Sequence, residues 1–134
     1  MTDPISSALR IAKVHSGPII SKVAGRTDHH PIDVEPESYV IPADVVSGLG
    51  EGNTLNGLEI IKRMFGLPDQ PQQKLSRGGV PVAVAGGEVV LSPDVVAKVG
   101  HGDLAKGHKV LSAWVKAERK KLIKTLSKLP GPHR

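Results

Sequence analysis

A chain of 134 residues that is 39% apolar yet holds one Phe, one Trp and one Tyr must build its core from Val, Leu and Ile. That length suits one domain or two very small ones, and a unit of about 60 residues buries only ~60% of its unfolded surface, so half of the chain is marginal alone. The absence of cysteine excludes disulfides and thiolate metal sites, no run approaches the ~18 apolar residues of a membrane span, and the opening MTDPISSALRIAKV lacks the pattern of a secretory signal, so a soluble protein made in the cytoplasm with no membrane partner is expected.

Residues 1–30 show no sustained periodicity and are interrupted by Gly17-Pro18, which predicts an extended N-terminal arm that orders against a neighbouring subunit. From Pro31 the chain repeats itself. Residues 31–65 and 81–115 align without a gap at an offset of 50, with identities at Pro31/Pro81, Val34/Val84, Val40/Val90, Asp44/Asp94, Val45/Val95, Val46/Val96, Gly50/Gly100, Gly52/Gly102 and Gly57/Gly107. Apolar and turn positions match together, which composition alone does not produce. The predicted fold is therefore α+β: two tandem units of β-hairpin, short helix and helix, over 31–65 and 81–129. Residues 66–80 (GLPDQPQQKLSRGGV) read as a flexible polar linker, and 130–134 as a tail.

Within each unit the local chemistry is explicit. In the second, PVAVA (81–85) and EVVLS (88–92) flank Gly86-Gly87, a pair suited to the primed turns of tight hairpins because Gly accepts positive φ. The first unit has Pro36-Glu37 there, which predicts a looser hairpin. Ser92, Pro93 and Asp94 supply an N-cap, a first-turn proline and a first-turn acid for a short helix over Asp94–Lys98 that stops at Gly100. Pro42 and Asp44 open its counterpart, which stops near Gly50. Asn53 and Asp103 cap a longer helix in each unit, the first reaching Phe65 before Gly66 and Pro68. The second has no breaker before Pro130 and should span Leu104 to about Lys128, with Leu104, His108, Leu111, Val115, Leu122, Leu126 and Leu129 near one helical face.

Charge is unevenly spread. The net charge is +5, but residues 106–134 hold nine Lys and Arg against the single acid Glu118, while 1–105 carry twelve acids against nine bases. Lys116, Arg119, Lys120, Lys121, Lys124 and Lys128 are the candidate contacts to phosphates or to an acidic protein surface, and both partners stay open at this point. Lys outnumbers Arg and no aromatic residues interleave, which suits point-charge attraction rather than base reading.

Other chemistry is poorly supported. GDLAKGHK (102–109) has the outer spacing of a phosphate-binding loop, but His108 and Lys109 stand where its Lys and Ser/Thr belong. The His29-His30 pair with Asp28, and the group His101, Asp103 and His108, do not recur in the other unit. No Cys nucleophile, Gly-x-Ser-x-Gly elbow or carboxylate pair is present, and Asp44 and Asp94 are explained as helix-opening acids. No enzyme, cofactor or metal is expected.

ESYVIPADVVSGLG (37–50) and GGEVVLSPDVV (86–96) resemble segments of small virion proteins of tailed bacteriophages, and similar GGE-V-x-P motifs occur near the ends of some tape-measure proteins. GRTDHHP (25–31), GHKVLSAWV (107–115) and KTLSKLPGP (124–132) extend the resemblance over most of 18–132. The first unit departs from it by lacking Gly-Gly at its turn. The resemblance implies a non-enzymatic, capsid-associated or head–tail structural protein. Its partners would be capsid, portal or tail proteins and further copies of itself, and it would reside in the virion after synthesis in the host cytoplasm. The alternative is a nucleic-acid-binding accessory protein acting through the basic helix, with non-specific DNA contact.

Overall fold

The computed structural model describes residues 11–19 and 30–128. Among these the protein is α+β. Strands β1 (Ile11–Pro18), β2 (His30–Val34) and β3 (Tyr39–Ile41) lead into helices α1 (Ala43–Leu49) and α2 (Thr54–Phe65). Strands β4 (Gln72–Arg77), β5 (Val80–Val84) and β6 (Val89–Leu91) lead into α3 (Pro93–Val99) and α4 (Leu104–Lys128).

The predicted hairpins do not form, and the turns explain why. The Ser38 N–H donates to the Glu35 carbonyl at 3.1 Å and the Glu88 N–H to that of Ala85 at 3.3 Å, so both turns are tight. Positive φ falls only at the second central residue, Glu37 (69°) and Gly87 (92°). That is the type II pattern, which Pro36 favours and which Gly86-Gly87 also adopts in place of a primed turn. Type II geometry splays its flanking strands where a primed turn would match their twist. Each strand therefore pairs across the units. β2 runs antiparallel to β5 with Ile32 opposite Val82, and β3 runs antiparallel to β6 with Val40 opposite Val90. Both registers centre on residues 50 apart, the pairing that a local twofold axis between two like units would give.

Two further expectations are corrected. Residues 11–18 of the predicted arm form a strand of the sheet itself, while 1–10, 20–29 and the tail at 130–134 lie outside the described residues. β1 pairs with β2 in parallel and with β4 and β6 antiparallel, giving the order β3-β6-β1-β2-β5 with β4 attached to β1. Ala12 and Val14 point inward between exposed Ile11 and Lys13, the alternation of a half-buried strand. The predicted linker contains β4, which pairs with β1 along its whole length from Gln72 opposite Ser16 to Arg77 opposite Ile11. Its side chains are largely exposed, so β4 is held by backbone hydrogen bonds rather than burial.

The helices follow from caps and glycines. Asn53 Oδ1 accepts from the Asn56 N–H and Asp103 Oδ1 from the Lys106 N–H, each at 3.1 Å. Ser92 is the N-cap residue of α3 with Pro93 at the first helical position, but its hydroxyl makes no capping bond. Pro42 occupies the N-cap position of α1, one residue earlier than a helix-opening proline would stand. Gly57 and Gly107 let the paired helices touch: a Cβ there would lie 1.7 Å from the Val46 carbonyl oxygen and 2.0 Å from that of Val96. Gly50 and Gly100 face the same crowding, with Cβ positions 2.1 and 2.0 Å from the carbonyls of Asn53 and Asp103. The left-handed backbone that turns the chain falls on the next residues, Glu51 and Gly52 in one unit, His101 and Gly102 in the other.

One core serves both units. Ile41, Val46, Ile61, Leu91, Val96 and Leu111 are buried in a single cluster with Val45, Leu58, Val89 and Val115. Phe65 and Trp114 meet edge to face beside it, with ring centroids 5.8 Å apart.

Candidate functional site

The long helix α4 carries the candidate contacts, and its inner face sorts them. Gly107, Leu111 and Val115 are buried, and Glu118 and Leu122 continue that line along α1. Arg119 turns into the fold. Its Nε and a terminal nitrogen donate to the two carboxylate oxygens of Asp44 at 2.7 and 2.9 Å, a two-pronged pair that ties the end of α4 to the first turn of α1. Those hydrogen bonds hold the Asp44 carboxyl below its ordinary range and raise the Arg119 guanidinium further. Lys121 donates to Glu118 at 3.2 Å one turn back. Leu122 approaches within 3.6 Å of where a Gly48 Cβ would stand, an ordinary contact distance.

The outer face of α4 is different. At 100° per residue, Lys106, Lys109, Lys116 and Lys120 fall within about 80° of one another on the side opposite Leu111 and Val115. All four are exposed, and none has an ion pair among the described residues. Lys124 is exposed farther along the same helix, and Lys128 is its last residue. Of the six cations singled out from the sequence, Lys116 and Lys120 thus share one row, and Arg119 and Lys121 are engaged with carboxylates of the fold. Lys106 and Lys109 also belong to the row, although in sequence they sit near the Asp103 cap and outside the dense Lys run. The helical wheel carried the signal.

The remaining predicted turn and cap residues, Gly86, Gly87, Ser92, Pro93, Asp94, Gly100, Asp103, Pro42, Asp44, Gly50 and Asn53, lie at the turns and helix starts of the two units. His108, on α4, has its Nε2 3.0 Å from the Glu37 carbonyl oxygen, and its ring stands 5.8 Å from that of Tyr39. Tyr39 Oη is 3.4 Å from Ser112 Oγ. These contacts clip α4 onto the turn of the first unit.

A second surface was not legible. On the β1–β4 ribbon Ile11 pairs with Arg77 and Lys13 with Leu75, which makes Ile11 and Leu75 diagonal neighbours on one face. They are 60% and 73% exposed. Toward the Ser16–Gln72 end of the ribbon lies a small polar cleft lined by His15, Glu35, Ser38, Lys74 and Asp94. Lys74 is ion-paired with Glu35, which raises its pKa, and the buried Ser38 hydroxyl has no hydrogen-bond partner among the described residues. No cluster of three His, Asp or Glu side chains among the described residues is arranged to hold a metal ion, and no helix among them is long and apolar enough to cross a membrane.

No family model, curated protein or solved structure matches this chain.

Proposed function

We propose that this chain is a structural protein of a tailed-phage virion, one that binds neighbouring subunits at the capsid or head–tail region and itself as an oligomer. The observation that carries the reading is the outward pair Ile11 and Leu75 on a ribbon whose strand β4 buries almost none of its side chains. A small aliphatic core has little surplus, and an apolar pair left uncovered represents about 2–4 kcal/mol that a neighbour's surface can recover. The likeness of residues 37–50 and 86–96 to virion segments points the same way. The mechanism is geometric: a two-unit body with one shared core presents the ribbon on one side and the α4 cations on another.

Mass spectrometry of purified particles of the encoding phage tests the reading directly. The chain is expected in the particles at stoichiometric level, and Leu75→Lys is expected to be lost from them while keeping the wild-type melting temperature. Absence of the wild-type chain from particles, or full incorporation of Leu75→Lys, overturns the proposal.

A further inference from the structure

The exposed face of α4 carries an inference that does not rest on the virion reading. We infer that the row Lys106, Lys109, Lys116 and Lys120 is a sequence-independent contact to the phosphate backbone of duplex DNA. The row runs from Lys106 to Lys120, ~21 Å at 1.5 Å per residue, and no acid lies on it. The only acid of α4, Glu118, is on the inner side with Lys121. Duplex DNA presents one negative charge per ~1.7 Å of axis, a density that matches a straight row of cations better than scattered surface carboxylates do.

The composition of the face separates DNA from an acidic protein. Docked protein interfaces are anchored by buried aromatic, aliphatic or Arg side chains and are depleted in Lys at their centres. This row has Lys and Ala113 at its centre, and its Arg neighbour Arg119 is spent on Asp44. Single strands are gripped by stacking on aromatic rings, and the sole Trp, Tyr and Phe all pack against the core. A row of flexible ammonium groups on a rigid rod fits a regular duplex backbone and reads no bases.

The experiment is fluorescence anisotropy of the full chain with a labelled random-sequence duplex, across a salt series. Four phosphate contacts predict a slope of log affinity against log salt of about −3.6. Lys109→Gln/Lys116→Gln/Lys120→Gln should weaken binding roughly tenfold per lysine near 0.1 M salt and cut the slope by about 2.7, with an unchanged melting temperature. Arg119→Gln should leave the slope as it is, because that side chain faces the fold. An unaltered slope in the triple variant overturns the inference, as does absence of binding at low salt. Displacement of the duplex by polyglutamate at equal charge concentration would assign the row to acidic proteins and overturn it too. Each of these three failures is independent of whether the chain is found in particles.

Discussion

The two short helices α1 and α3 share a sequence pattern but not an environment. α1 lies under the far end of α4: Val45 is only 3% exposed, Leu122 sits over Gly48, and Asp44 holds Arg119. α3 has no such cover from α2, which ends at Phe65 because Gly66 takes the left-handed conformation and the Leu67 N–H closes back on the Lys62 carbonyl. Val95 is accordingly only partly buried, and Lys98 stands at the position of Gly48. The two long helices thus differ in length and in what they cover. The longer helix reaches back over its neighbour, and a glycine marks where it lands.

Six substitutions break or sharpen that comparison, and urea denaturation reads them all. The largest effect belongs to what the units have in common: Gly57→Ala and Gly107→Ala each drive a Cβ into a backbone carbonyl, and each should cost on the order of 3 kcal/mol. A large difference between them would show that the two helix crossings are not equivalent. Next, Leu122→Ala removes the cover from α1 alone and should cost about 1–2 kcal/mol, less than a fully buried leucine because Leu122 is half-buried. Asp44→Asn and Arg119→Gln should each cost less than about 1 kcal/mol, since both side chains are 48% exposed. Because the folded pKa of Asp44 is depressed, the contribution of this pair is present in full above the ordinary carboxylate range. It should disappear as pH falls through the folded value, so wild type and Asp44→Asn converge in acid. The smallest effect has the opposite sign. A Gly48 Cβ would make only ordinary contact with Leu122, so Gly48→Ala should stabilise by roughly 0.5 kcal/mol through helix propensity.

The helices were legible because their signals are local. Asn53, Asp103, Pro93 and the glycines act on the backbone within a turn, so α2 ends at Phe65-Gly66 and α4 runs unbroken through Lys128, as the lack of a breaker before Pro130 suggests. Strand partnership was not legible, because Pro36-Glu37 and Gly86-Gly87 mark a turn without fixing its type, and the type decides whether the strands stay together. β4 was hidden by its composition, since QQKLSR offers no apolar alternation and is held by backbone bonds to β1. At the candidate site the density of cations was evident, but not their direction. Arg119 looks like its Lys neighbours until Asp44, 75 residues away, is brought against it.

The crossed pairing of β2 with β5 and β3 with β6 has a consequence for how the chain comes into being. Within the leading half only β1 and β2 pair, at Val14 opposite Asp33, so about fifty residues of loop must close before the first of these crossed rungs can form. During synthesis β3 and the outer edge of β2 leave the ribosome unmatched and wait for Val80–Leu91 to appear. Acquisition of structure should be slow for so short a polypeptide and nearly all-or-none, with the helices as the early local events.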